Sequence, residues 1–399
     1  MRSKIVAVSV LFFLATLAAL NQRPARAGEI TPTPGYKVLE PIRHGNLTVF
    51  PVVAAKSYPT NEFITLDEGL RSGEVVVTEA GSVQGLVRRP GTPTHRYDGA
   101  EVNRLVLVNN SKHPLLLLAG EVVSGGKQDR VIGKDRIVPA ESDPIDLSVF
   151  CVEHGRWVAS TEHFGASEAM YGSAVHGGPA TNAPAPMAIM VQPSVRAKAM
   201  ADKNQQEVWD EVSKQKEALV ARVAPAAPSE AVAIGGVTSY AKANENEEVR
   251  KQVDSVAKPI EENYQSLIHQ LRDRNATGVV VAVSGRIIWA DIFASTDLLD
   301  RYWQKLVRSY AAEALSQGRS HGKVTESEAL AFVEQMQGRH ESADTEPGVY
   351  RHVEVTGDDY KVFELTSLLP KTDFEVHVAK MYDEPKVGRM YRGPAPSQR

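Results

Sequence analysis

Between Leu47 and Cys151 the chain alternates short apolar runs with turn residues: LTVFPVVAA, GEVVVTEAG, VNRLVLVNN, PLLLLAGEVV, DRVIGKDRIVP and PIDLSVFCVE. Runs of that length, rich in Val, Ile and Leu and bounded by Gly, Asn and Pro, read as strands. Asn-Asn-Ser, Gly-Gly and Ser-Asp-Pro separate them, which predicts an antiparallel sandwich or barrel-like sheet and not alternating βαβ units. From Gly165 to Ser194 the pattern breaks down into Gly177-Gly178, Pro179, Pro184 and Pro186 among alanines and serines, the composition of a loop.

Beyond that loop the apolar period lengthens. Near Lys198 to Val223, residues Val208, Val212 and Leu219 share one helical face. From Val249 to Leu271 the spacing is cleaner, because Val249, Val253, Val256, Ile260, Tyr264, Leu267 and Leu271 recur every three or four residues; Pro259 is expected to kink or divide that helix. TGVVVAVSGRIIWADIF reads as a hairpin turning at Ser284-Gly285, followed by a helix over Asp297 to Leu315 that buries Leu299, Tyr302, Trp303, Leu306 and Tyr310. Thr325 and Glu328 form a capping box for a further helix, and VEVT, YKVFEL and FEVHVAKM close the fold as a meander. The class is therefore α+β: a β-rich region over 28–164, a Gly/Pro/Ala-rich loop over 165–197, a helical and mixed region over 198–384 packing on the sheet, and a basic tail over 385–399.

The first residues follow a different rule. Arg2 and Lys4 precede an apolar stretch from Ile5 to Leu20, and Ala25-Arg26-Ala27 follows, so residues 1–27 are expected to be a cleaved signal peptide and the chain periplasmic or secreted. A stretch of 16 residues falls short of the roughly 20 that span a bilayer, so no membrane anchor is expected after cleavage. Losing Arg2, Lys4, Arg23 and Arg26 and no acid would move the net charge from −4 to −8. A net-acidic chain lacks the electrostatic footprint that nucleic acid or an anionic membrane rewards. Cys151 is the only cysteine, so stability cannot rest on an internal disulfide. Within LSVFCVE it reads as a small buried hydrophobe, the alternative being a nucleophile with His154 or His163 as base.

Candidate chemistry concentrates in GEVVSGGKQDR (Gly120–Arg130), GKDRIVP and CVEHGRW (Cys151–Trp157). Gly125 and Gly126 permit positive φ and close approach of amides to an anion, while Lys127, Arg130, Arg136 and Arg156 supply positive charge. Glu121 and Glu153 are the candidate catalytic carboxylates, with Gly126, Lys127, Gln128, Arg130, Arg136, Arg156 and Trp157 as ligand-binding residues. The structural alternative is a solvated hairpin tip. No HExxH or paired-Cys spacing marks a metal site, and no Walker A loop, GxGxxG or GxSxG elbow marks a cofactor or serine nucleophile, so the cofactor is unknown.

GEVVSGGKQDR, CVEHGRW, SGRIIWADIF and YWQKLVRSYA, in that order, resemble the bacterial family known as the ARG and rhodanese-phosphatase superfamily associated protein domain, over Lys37 to Ser309 or beyond. The resemblance implies no established activity. Its name reflects genomic association with ADP-ribosylglycohydrolase-type and phosphatase-type proteins, which implies an ADP-ribose-like ligand by association alone. The matching positions that could meet a ligand are Glu121, Gly126, Lys127, Gln128, Arg130, Glu153, Arg156 and Trp157. An export segment points instead to an envelope sugar or phosphate. The expectation is an exported protein that binds, and conditionally hydrolyses, a small anionic sugar-like ligand; the rival is a non-catalytic envelope protein that holds a protein partner.

Overall fold

The computed structural model describes residues 35–79, 104–153, 164–165, 189–271, 275–318 and 322–383. The expected leader 1–27, His154, Arg156, Trp157, His163, most of the 165–197 stretch and the tail 385–399 lie outside the described residues. Three strands open the chain: β1 (Tyr36–Val38), β2 (Ile42–His44) and β3 (Leu47–Ala54). After β4 (Ile64–Thr65), helix α1 (Leu66–Ser72) starts at a capping box made by Thr65 and Glu68 and stops at Gly73, whose φ of 68° is the left-handed conformation that ends helices.

The predicted barrel-like sheet forms from β5 (Val75–Glu79), β6 (Arg104–Asn109), β8 (Glu121–Gly125), β9 (Arg130–Ile132), β11 (Ile145–Cys151) and β12 (Phe164–Gly165). The order is β12-β5-β6-β11-β9-β8, and β12 pairs again with β8, so the circuit closes and its outer edges disappear. β7 (Leu115–Leu117) and β10 (Arg136–Val138) form a separate three-stranded sheet with β4. PLLLLAGEVV and DRVIGKDRIVP are thus two strands each. The first divides at Gly120, held at φ 94°, a conformation costly for any residue with a Cβ. β13 (Ile189–Met190) adds to β8, and α2 (Pro193–Ala197) follows it, continuing into a π turn at Lys198–Asp202.

Helices α3 (Gln205–Val223), α4 (Pro228–Gly236), α5 (Tyr240–Glu245) and α6 (Glu247–Leu271) come next. α6 runs through Pro259 without dividing, because the paired burial of its Val249–Tyr264 stripe outweighs one lost hydrogen bond. The hairpin β14 (Ala276–Val283) and β15 (Arg286–Phe293) turns at Ser284 (φ 51°) and Gly285 (φ 77°), as its sequence requires. α7 (Thr296–Ser316) and α8 (Glu326–Glu334) precede the final strands β16 (His340–Glu346), β17 (Tyr350–Thr356), β18 (Tyr360–Ser367) and β19 (Glu375–Tyr382). β16 was not legible in the sequence. HESADTE has no apolar alternation and is mostly exposed, so it is recruited by backbone pairing with β17 and by cations from the barrel side.

One topological fact governs the rest. β3 pairs with β14, so the opening strands complete a nine-stranded antiparallel sheet ordered β1-β3-β14-β15-β19-β18-β17-β16, with β2 as the ninth strand paired on β3 beside β1. The β-rich stretch 28–164 is shared between this sheet and the barrel. Alternate residues face opposite layers: Val279 and Val281 meet α6 and α7, whereas Val280 and Ala282 meet α8. Among the described residues no helix is long and apolar enough to cross a membrane.

Candidate functional site

The unusual feature of the interior is charge. Asp135 sits on the loop between β9 and β10, and its Oδ1 accepts from the Ala119 amide at 2.7 Å. Its Oδ2 lies 2.6 Å from His377 Nδ1 on β19, and His377 Nε2 lies 3.1 Å from Asp291 Oδ1 on β15. Asp291 also accepts from Arg196 of α2 at 2.8 and 3.0 Å and from the Tyr310 hydroxyl of α7. All five side chains are buried. A carboxylate at each ring nitrogen can be served only by an imidazolium that donates from both. Burial opposes charge on His377, but Asp135 and Asp291 hold its pKa above the ordinary range; Asp291 is held far below its own by Arg196 and His377 despite burial.

A second buried group adjoins the first. Lys305 of α7 donates to Asp67 of α1 at 2.6 Å and to Glu121 at the start of β8, and Glu121 Oε2 accepts from the Leu118 amide at 2.7 Å. Burial pushes the Glu121 carboxyl up, with Lys305 pulling it down less strongly. The turn Leu118–Glu121 touches both groups, since Gly120 packs where a Cβ would stand 2.8 Å from Arg196 Cδ and Met190 Sδ. On the far side of Asp135, Lys134 pairs with Asp344 and Arg136 with Glu346 at 3.1 Å. GKDR therefore places three successive side chains against the nine-stranded sheet.

The residues singled out in the sequence do not form one concavity. Glu121 lies in the Lys305 group. Four residues along β8, about 13 Å away at strand rise, a second set gathers around the β8–β9 turn. There Gly125 and Gly126 take φ 121° and 48°, the Lys127 amide donates to Glu79 at 3.0 Å, and Gln128 Nε2 donates to the Glu153 carbonyl at 2.9 Å. Glu153 itself accepts from the Asp129 amide and from Thr238 Oγ1, each at 3.1 Å. Arg130 is fully buried among Glu79, Asp129, Cys151 and Glu153. Arg136 belongs to a third place. Cys151 is buried, its thiol pushed up by that burial, as its apolar run suggests.

The open space lies nearby, between the helices. A narrow cleft of about 30 Å³ is lined by Arg250 of α6, Lys305, Arg308 and Ser309 of α7, and Tyr240 and Asn244 of α5. Arg308 pairs with Asp254, and the buried Nε of Arg250 has no hydrogen-bond partner among the described residues. On the other side of Tyr240 and Asn244 a wider cavity of about 230 Å³ is lined by Trp209, Ser213, Lys216 and Thr238. Tyr240 and Asn244 line both, so the two cavities adjoin across α5. Glu121 stands behind the narrow cleft through Lys305, and Glu153 behind the wider cavity through Thr238.

Sequence reasoning missed Lys305, Asp291, His377 and Arg250. The signal for the first three was present: a charged residue inside an otherwise apolar run, as in RIIWADIF, FEVHVAKM and the buried face of α7, must find a buried partner. Among the described residues no cluster of three or more His, Cys, Asp or Glu side chains is arranged to hold a metal ion. No curated protein and no solved structure matches the chain. Residues 35–380, which span the barrel, the groove and the nine-stranded sheet, match the model of the ARG and Rhodanese-Phosphatase-superfamily-associated Protein domain, and the chain belongs to that family.

Proposed function

We propose that this is an exported protein that binds a small anionic, hydroxyl-bearing ligand in the groove between α5, α6 and α7. The observation that carries the reading is the convergence of Arg250 and Arg308 with Ser309, Asn244 and Tyr240 on one cleft, Lys305 behind it being held by Asp67 and Glu121. Arginine donors match carboxylate and phosphate oxygens, and an Arg250 Nε without an internal partner has a donor to offer. Glu121 and Glu153 act here as positioning residues: both are buried, and their oxygens are engaged by Lys305, Leu118, Asp129 and Thr238. Hydrolysis is not part of this reading. The partner-holding alternative gains little from the surface, because the exposed large apolar side chains among the described residues, Tyr58, Val232 and Tyr382, sit on the loop after β3, on α4 and at the end of β19.

A thermal-shift series tests the reading, with acetate, inorganic phosphate, sugar phosphates, glucuronate and ADP-ribose as probes. A ligand of the folded state raises Tm by mass action. At least one anion is expected to raise Tm in the purified protein, and Arg250→Ala with Arg308→Lys should abolish the rise. A rise that persists in the double variant, or no rise with any anion, refutes the groove as the site.

A further inference from the structure

We propose a second binding site, for a free α-amino acid with an uncharged amide side chain, in the cavity where the Lys134 loop and the π turn before Lys203 lie over strands β16 and β17. It shares no lining residue with the groove and goes beyond the reading above.

Strand register builds the floor. Asp344 stands opposite His352 and Ser342 opposite Glu354, so the four form the corners of one face of the β16–β17 pair, with Phe363 of β18 beside Glu354. The diagonal from Asp344 to Glu354 is roughly 7–8 Å. Lys134 pairs with Asp344, Lys203 pairs with Glu354 at 2.7 Å, and Met200 closes the wall. His352, Met200 and Phe363 are buried, whereas Lys203 and Asp344 are more than half exposed, so a buried floor lies beneath a charged mouth. The enclosed space is about 260 Å³. A cavity of roughly 150 Å³ takes benzene and drug-sized ligands need roughly 300 Å³ or more, which puts a single amino acid in range.

Charge sets the ligand class. Lys134 and Lys203 balance Asp344 and Glu354, so a ligand of one sign is attracted by two of these groups and repelled by the other two. A zwitterion gains from both. Lys203 spends one of its three N–H donors on Glu354, and Asp344 accepts from Lys134 through Oδ2. That leaves ammonium donors and a carboxylate oxygen at the mouth for the ligand's own carboxylate and ammonium. His352 supplies the third contact. It is 6% exposed and its Nε2 has no hydrogen-bond partner among the described residues, a cost that a ligand would remove. Burial, with Lys134 and Lys203 close by, holds its pKa below the ordinary histidine value against the pull of Asp135. The ring is therefore neutral, with one nitrogen donating and the other accepting. A primary amide carries both a donor and an acceptor and so answers either, while its methylene chain packs on Met200 and Phe363.

Calorimetric titration of the purified protein with L-glutamine, L-leucine, glutaramate and 4-aminobutanamide tests this. Leucine lacks the amide, glutaramate the ammonium and 4-aminobutanamide the carboxylate. Glutamine is expected to bind at least about tenfold more tightly than each of the others. His352→Phe keeps a ring and removes the unsatisfied nitrogen, so it should erase the preference for glutamine over leucine without lowering Tm. Lys203→Ala should weaken glutamine about tenfold, and because Glu354 retains Lys361 at 3.0 Å the fold is preserved. Ser342→Trp, from an exposed position on β16, should fill the cavity and abolish binding. Arg250→Ala should change none of these values. Equal binding of glutaramate or 4-aminobutanamide overturns the zwitterion assignment, and equal binding of leucine overturns the amide assignment. No binding of glutamine, or binding that persists in Ser342→Trp, overturns the site.

Discussion

Two regions of this molecule are rich in charge and use it in opposite ways. In the interior, Asp135, His377, Asp291 and Arg196 pair with one another across the boundary between the barrel and the nine-stranded sheet, and Lys305 pairs with Asp67 and Glu121. In the groove, Arg250 and Arg308 stand at a cleft that reaches solvent. The difference shows why counting cations and carboxylates along a sequence does not locate a binding site. A fully paired buried charge has nothing left for a ligand, and removing its partner costs far more than the pair contributes net.

The comparison breaks most easily at Asp291. Asp291→Ala would leave Arg196 and His377 buried without their common acceptor, and about 3–5 kcal/mol of stability should be lost in urea unfolding. A loss below about 1 kcal/mol would show that the interior charges are not coupled. Gly120→Ala should cost about 1–3 kcal/mol, since its φ of 94° and the crowding by Arg196 and Met190 both oppose a Cβ.

A smaller effect separates the two regions by pH. The raised pKa of His377 means that its contribution is fully present below the ordinary histidine value and is lost as pH climbs through the raised one. Asp135 and Asp291, both lowered, contribute above the ordinary aspartate value and lose that contribution as pH falls through theirs. The stability advantage of the wild type over His377→Asn should therefore be larger at pH 5.5 than at pH 9, by about 1 kcal/mol for each unit of elevation. An advantage that grows toward pH 9 would reverse the assigned sign. The smallest effect belongs to the groove: Arg250→Ala should change unfolding free energy by no more than about 0.5 kcal/mol, and a larger cost would make Arg250 part of the structural framework.

Much of the fold was readable because its causes are local. The β14–β15 hairpin follows from Ser284-Gly285 between two apolar runs, and the buried faces of α6 and α7 follow from apolar spacing that tertiary packing then used. The site was readable in part. Glu121 and Glu153 stand out in the sequence, but both are buried and engaged inside the protein, and the residues that line the groove sit on helices that read as ordinary solvated or core faces. β16 escaped notice because a strand held by backbone pairing and edge salt bridges needs no apolar pattern.

By itself the sequence determined most strands and the long helices, caps and tight turns, because these depend on interactions within a few residues. Only the tertiary structure decided that β3 crosses to β14, that Lys305 finds Asp67 and Glu121, 238 and 184 residues away, and that Arg250 and Arg308 face one cleft. Those outcomes depend on which surfaces meet when apolar faces are buried. Charged groups then reach their low-dielectric partners by that packing and not by any spacing along the chain.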